Sequence, residues 1–404
     1  MHTRIWFLIA AGLGATLSIT GNVSAHGDET IAPATSASSI VASMRRFPMQ
    51  ANSSVDALFA FAANPNATFT PDAVKLLVDF VRNACATDSG WELPERDGAA
   101  GAAYVVKIGV PLAQYLALNF NPGIPDYAVF PASLRYSACL DSNAMQRAYA
   151  CIEAGPTGAQ AYASARLSGT EEITPNPESG SYFSYTNCRV FLRCKVEDRD
   201  VLFSCSETTS PSTFSRRGVS VGPLDQALFY YSEKPGLNLR GMTWMLSQIS
   251  RSTTLSIYIA LSSNETAVTT FAWLKAGWKG INVTRSSNIL NSQVNTLGFS
   301  RRIAEDPHVT APVIAAIVDT VNGLAPTAVD ADYEKYLAYV RKWRDNNGKQ
   351  GVRNPLLNDL YDTETTQTIP LSRRRALLVQ ERVRALIGIP TWSSGTGGEA
   401  LAQK

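Results

Sequence analysis

The chain has 404 residues, 45% of them hydrophobic, with 36 Lys and Arg against 34 Asp and Glu. That length allows one large domain with a helical extension or two domains, and that hydrophobic share is ample for a core that does not depend on disulfides. A formal net charge of +2 lacks the positive field that counterion release from nucleic acid requires, which argues against nucleic acid as a partner.

Met1 to Arg4 is a short positive segment, Ile5 to Ile19 an apolar core, and Asn22-Val23-Ser24-Ala25 a cleavage site with Val and Ala at minus three and minus one. Residues 1–25 therefore read as a signal peptide cut near Ala25, and the expected location is secreted or periplasmic. Cleavage would make His26 the first residue, and an N-terminal His can bind copper through its amine and imidazole. That chemistry needs a second His; His308 is the sole candidate, and the polar segment behind His26 offers no rigid strand. Residues 26–54, rich in Ala, Ser, Thr and Pro, are expected to form a flexible leader with at most a short helix, outside the core.

Thr70-Pro71-Asp72 supplies an N-cap, a first-turn proline and an early acid, and Val74, Leu77, Val81 and Ala84 follow at helical spacing, which predicts a helix over Pro71 to Ala86. Ala103 to Ile108 then reads as a strand, Pro111 to Asn119 as a short helix, Asn121 to Pro131 as an ordered loop, Leu134 to Cys139 as a strand, and Asn143 to Ile152 as a helix. Strands follow at Ser181 to Val196, Val201 to Ser206, Ala227 to Ser232, Thr253 to Leu261 and Ala267 to Leu274. The polar turn Ser262 to Thr266 joins the last two into an antiparallel hairpin.

After Trp278-Lys279-Gly280 the period returns to that of a helix, with Leu290, Val294 and Leu297 on one face and Phe299 and Ile303 continuing it. Pro312 to Leu324, Asp330 to Asn346 and Leu371 to Ile389 are further helices, and a Gly- and Ser-rich tail follows Trp392. The expected fold is α+β: a curved antiparallel sheet gripping a helix over 55–308, a helical extension over 309–392, and a disordered tail over 393–404.

All six cysteines lie between Cys85 and Cys205. Six allow 15 pairings. Alternation around Glu197-Asp198-Arg199-Asp200 places Cys194 and Cys205 on one face of a hairpin, and a bridge between them requires the turn to centre near Arg199 and Asp200. The favoured pairs are Cys194 with Cys205, Cys139 with Cys151, and Cys85 with Cys188. No CxxC spacing occurs, and the Glu197 to Asp200 tip lacks the spacing of a calcium loop, so neither a metal nor a cofactor is expected.

Three functions compete. Aromatic residues that fall mostly on the strands, Tyr230, Trp244, Tyr258, Phe271, Trp273 and Trp278, together with Leu290, Val294 and Leu297 on the helix, would wall a cavity for an apolar, lipid-like ligand held without catalysis. Gly218-Val219-Ser220-Val221-Gly222 matches the nucleophile elbow of serine hydrolases, with His308 as the one downstream base, although Pro223 and a polar preceding segment disturb the strand-to-helix context. A cell-envelope structural or interaction protein, its C-terminal helices docking a partner, is the third. Arg373, Arg374, Arg375, Arg382 and Arg384 give the last helix a basic face that an anionic membrane surface would attract, or that a docked helix would turn to solvent.

The hairpin Thr253 to Leu274, the turn Gly277-Trp278-Lys279-Gly280 and the helix after Asn288 resemble the helix-grip fold of START and Bet v1-like proteins over about Val74 to Glu305. The resemblance implies an apolar ligand held between sheet and helix. It assigns no individual binding residue.

Overall fold

A computed structural model describes residues 37–64, 66–156, 160–176, 179–221, 228–239, 242–278, 281–347 and 369–392. The signal segment, residues 26–36 of the leader and the tail after Trp392 lie outside them. The leader reading fails from residue 37 onward. Helix α1 (Ala37–Ala42) and strand β1 (Arg45–Arg46) lead through a 3-10 turn at Met49–Ala51 into helix α2 (Asn52–Ala63). Ile40 is 1% exposed in the core under α7, and Phe47, Ala51, Val55 and Leu58 are buried in the core on the other face of the sheet. Composition hid this segment: its small residues carry little hydropathy, and its few large apolar ones are spread over short elements that never complete a period.

Pro71 opens a 3-10 turn (Pro71–Val74) that runs into helix α3 (Lys75–Ala84), burying Leu77, Val78, Val81 and Ala84 as their spacing predicts. Strands β2 (Ser89–Arg96) and β3 (Ala99–Ile108), helices α4 (Leu112–Asn119) and α5 (Asp126–Val129), strand β4 (Leu134–Cys139) and helix α6 (Ser142–Ala154) come next. They are followed by β5 (Tyr162–Ile173), β6 (Ser181–Tyr182), β7 (Ser184–Val196), β8 (Arg199–Thr208), β9 (Arg216–Val221), β10 (Leu228–Pro235), β11 (Leu237–Leu239) and β12 (Met242–Met245). Strands β13 (Gln248–Ala260), β14 (Thr266–Trp278) and β15 (Ile281–Asn282) end the β portion. Helices α7 (Ser286–Glu305), α8 (Ala311–Asn322), α9 (Pro326–Asn347) and α10 (Leu371–Leu386) complete the described chain.

Ten strands form one curved sheet in the order β1-β2-β3-β14-β13-β8-β7-β5-β4, with β15 added to β14. Its pairings are antiparallel except for β1 with β2. The fold class is thus the expected α+β sheet with helices, and the β13–β14 hairpin pairs across the polar turn as read. Alternation splits each central strand between two apolar faces. Ala103, Val105, Phe203, Cys205, Leu255, Ile257, Phe271 and Trp273 face α2 and α3, while Ala102, Tyr104, Val106, Leu202, Tyr258 and Val268 face α4, α7 and the C-terminal helices. A sheet apolar on both sides needs helices on both sides: α2 and α3 cover one face, and of the residues read as a leader Phe47 and Ala51 join that layer while Ile40 of α1 packs with α7 on the other.

Two glycines mark where the packing on the sheet leaves no room for a side chain. Gly101 lies opposite Trp273 in the β3–β14 register, and a Cβ at Gly101 would fall 2.7 Å from the indole. At Gly90 an added Cβ would fall 2.5 Å from a Leu290 methyl, so α7 rests directly on β2 and β3.

The C-terminal helices are not an extension. They belong to the same compact unit as the sheet. Ile314, Val318, Ala376, Leu378, Val379 and Val383 are buried in the core that contains α4 and α7, and Gln380 Nε2 donates to the carbonyls of Tyr127 and Leu134, at 3.1 Å and 2.5 Å. A small second sheet, β10-β9-β6, lies against α9 and α10. Tyr336 of α9 closes the β10 edge, its hydroxyl accepting from the Phe229 amide at 2.9 Å and donating to the Phe229 carbonyl at 2.8 Å.

This packing also consumes the basic face of α10. Arg373 lies 3.9 Å over the Tyr136 ring, Arg374 pairs with Asp330 at 2.6 Å, and Arg375 donates to the Leu324 carbonyl at 2.8 Å. Arg382 is 3.9 Å from Asp332, and Arg384 is buried against Glu381 at 3.2 Å. The arginines of this stripe are engaged by protein partners.

All six cysteines carry free thiols. The turn between β7 and β8 is centred on Glu197 and Asp198, which sets Cys194 opposite Val201 and Cys205 opposite Val190. The two share a face but stand four positions apart, about 13 Å at about 3.4 Å per residue. Cys139 pairs with Gly169, whereas α6 carries Cys151 to the far end of β5, where Arg193 donates to the Glu153 carbonyl. Cys85 lies close enough to Lys107 for the two charges to interact, and Cys188 sits in the row of Gly101, six residues away along the sheet and several strands over. None of the three expected bridges is formed.

Two outcomes test this architecture. Ile40→Ala should cost about 2–5 kcal/mol by urea unfolding, while Met49→Ala, at a position 67% exposed, should change stability by less than about 0.5 kcal/mol; equal small effects would remove the segment from the core. Alkylation in denaturant without reductant should modify all six cysteines. In the native protein Cys194 and Cys205, whose thiols burial pushes up to about 12, should stay unmodified.

Candidate functional site

A cavity of about 250 Å³ lies between α6, the α4–α5 segment and strands β4, β5 and β7. It lies on the sheet face that also carries α7, but away from that helix. Phe120, Ile124, Met145, Ile152, Leu167 and Phe191 form its apolar wall, and Ser142 and Gln146, both exposed, mark its mouth. Phe120 and Phe191 meet edge to face at 5.4 Å, and Phe120 stands in the same relation to Tyr258.

The floor is polar because alternation on β5 and β7 turns Gly169 and Glu171, and Asn187 and Arg189, toward the cavity. Glu171 accepts from the Tyr185 hydroxyl at 2.7 Å, Asn187 Nδ2 at 2.6 Å and Arg189 Nη2 at 2.8 Å. Arg189 Nη1 donates to Asp126 of α5 at 3.0 Å. Burial works against the Arg189 charge, but Asp126 and Glu171 more than offset it and hold the guanidinium protonated. Burial and the neighbouring Glu171 carboxylate push the Tyr185 hydroxyl well up, so it serves as a donor. Asn119 closes one side; its Nδ2 donates to the Tyr115 carbonyl at 2.8 Å, and its Oδ1 is buried without a hydrogen bond.

The expected ligand residues do not converge here. Tyr258 is on the correct face and packs against Phe120. Phe271 and Trp273 point to the opposite face, under α2 and α3, because their odd positions on β14 share the side of Ala267 and Thr269. Tyr230 belongs to the second sheet, and Trp278 is half-buried where β14 meets β15. Trp244 falls on β12, and its side chain lies outside the described residues. Leu290, Val294 and Leu297 pack against the sheet, with Leu290 filling the space over Gly90.

Ser220 is equally far from its proposed role. It lies inside β9, opposite Phe229, rather than on a strand-to-helix turn, and its Oγ is buried without a hydrogen-bond partner. His308 is exposed between α7 and α8, its amide bonded to Asp306 Oδ1 at 2.8 Å. A serine nucleophile needs its base within hydrogen-bond reach, and this pair makes no such contact. Among the described residues no group of His, Cys, Asp and Glu could hold a metal.

A second polar cluster lies beneath the floor. Arg135 and Glu172, 1% and 2% exposed, pair at 3.0 Å, Arg216 reaches Glu172 at 3.0 Å, and Arg135 reaches Glu233 at 3.4 Å. The Arg135 guanidinium stacks 3.8 Å from the Tyr231 ring centroid. These residues come from β4, β5, β9 and β10, so the cluster fastens the small sheet to the large one. Burial would raise the Glu233 carboxyl, but the Arg135 and Arg216 charges overcome it and hold the group below its ordinary value.

No family model and no curated protein matches this chain. Among solved structures it is similar to the human StarD13 (DLC2) lipid transfer and protein localization domain, with 7% identity and a TM-score of 0.23 over 57% of this chain and 98% of that one. So loose a superposition carries no weight for fold or ligand, and the architecture rests on the strand register.

Arg135→Met should cost about 3–5 kcal/mol in urea unfolding, because it leaves Glu172 buried with half its compensation. Arg135→Met combined with Glu172→Met should cost at least about 1 kcal/mol less than the sum of the two single changes. Additive losses would show that the pair does not act as a unit. Glu233 adds a pH signature: its lowered folded value means that its contribution is full above the unfolded carboxylate value and is lost as pH falls through the folded one.

Proposed function

We propose that the chain is a non-catalytic binding protein for one small amphipathic molecule, lipid-like in having an apolar body and a polar head, held in the cavity beneath α6. The observation that carries this reading is a cavity of about 250 Å³ with an aromatic and aliphatic wall and a polar floor. Its size bounds the occupant. An apolar cavity of about 150 Å³ accepts benzene, and drug-sized ligands occupy roughly 300–1,000 Å³, so a short single chain suits the space and a two-chain lipid does not. Binding suits the floor better than chemistry, since Glu171 is engaged by three donors and no histidine is among the described lining residues. Export is part of the proposal. It rests on the N-terminal Met1 to Ala25 pattern alone, and N-terminal sequencing of the native protein should begin at His26.

Native mass spectrometry of the purified protein with six-carbon amphiphiles should show one bound molecule per chain, and saturation should raise the unfolding temperature, since a ligand at about 100 times its Kd adds about 2.7 kcal/mol. Met145→Trp, which fills the cavity from its half-exposed wall, should abolish both effects while the protein stays folded. Unchanged binding in that variant would place the site elsewhere.

A further inference from the structure

We infer that the molecule held in this cavity carries a positively charged, N–H-rich head, a protonated amine on a short apolar body; this rests on the cavity reading above. Three charged side chains line the space, Asp126, Glu171 and Arg189, leaving one carboxylate in excess. Their hydrogen bonds decide where the excess is available. Glu171 is filled by Tyr185, Asn187 and Arg189. Arg189 donates from Nη1 to Asp126 and from Nη2 to Glu171, so its single positive charge is already answered by two carboxylates. Asp126 uses only Oδ2, and its Oδ1 accepts no hydrogen bond among the described contacts.

Asn119 supplies the second, independent observation. It is 2% exposed, it lines the cavity, and its Oδ1 is buried with no partner. The amide orientation is set by Nδ2 donating to the Tyr115 carbonyl; the flipped amide would place two acceptors face to face. A buried acceptor without a donor carries its full desolvation penalty. An alcohol brings one donor to this site and an ammonium brings three, with a charge that answers Asp126. A carboxylate brings none and adds a further negative charge.

Hexylamine, hexanol and hexanoate share one body and differ in the head, so calorimetric titration of each into the full chain at neutral pH isolates the head. Hexylamine should bind at least about tenfold tighter than hexanol, and hexanoate should bind more weakly than hexanol. Asp126→Asn should reduce hexylamine affinity about tenfold and change hexanol affinity by no more than about twofold, whereas Asn119→Leu, which removes an acceptor either head can use, should weaken both. Hexanol or hexanoate binding as tightly as hexylamine would overturn the inference and leave the cavity reading standing; failure of all three to bind would overturn both. The wild-type comparison decides the question even if a variant does not fold.

Discussion

Glu171 and Glu172 are neighbours in sequence and point to opposite sides of β5, and the rest of the site depends on that division. Glu172 is clamped between Arg135 and Arg216, almost wholly buried, which forces Glu171 into the cavity. Side chains alternate with a period of two, so a one-residue slip of β5 would put Glu171 among the arginines and Glu172 on the floor. The neighbouring registers agree: Ser137 faces Glu171 on β4, and Tyr185 faces it on β7. The position of the cavity floor is therefore set from beneath, by charges that never meet the cavity.

Burying that many charges is costly unless each is answered, and the surrounding elements answer them. Arg135 is taken up by Glu172, Glu233 and the Tyr231 ring, and Arg373 of α10 stacks on Tyr136 of β4. Replacing such a set with apolar residues often leaves stability unchanged, so its contribution is to specificity of arrangement more than to raw stability. Here the arrangement joins the small sheet, the C-terminal helix and the strand edge that forms the cavity. The C-terminal helices are consequently part of the wall that supports the site.

Periodic segments buried on one face were legible in the sequence: α3, β4, the β13–β14 hairpin and α7 all lie where their spacing predicts. What failed was the assignment of faces. Phe271 and Trp273 share a side of β14, but a sheet apolar on both sides gives no local signal of which side holds a ligand, and of the helices that cover that side only α3 was legible. The cysteines failed for a related reason. Alternation gave Cys194 and Cys205 a common face, while register, set by a turn two residues earlier than a bridge requires, kept them apart.

Strand β5 is the most instructive omission. Its sequence, Tyr162 to Ile173, holds Ser, Gly, Thr and paired Glu where a buried strand would alternate apolar residues, and Leu167 is its one large aliphatic side chain before Ile173. A strand that packed against a helix along its whole length could not carry that composition. One that borders a cavity can, because Gly169 and Glu171 face space and polar partners instead of a hydrocarbon layer. Local rules of patterning are broken where a protein has a use other than packing. The property that made β5 invisible to hydrophobic periodicity is the same one that makes it the floor of a binding site. Asn119, whose buried amide oxygen has no hydrogen-bond partner among the described residues, breaks the hydrogen-bonding rule at the same place.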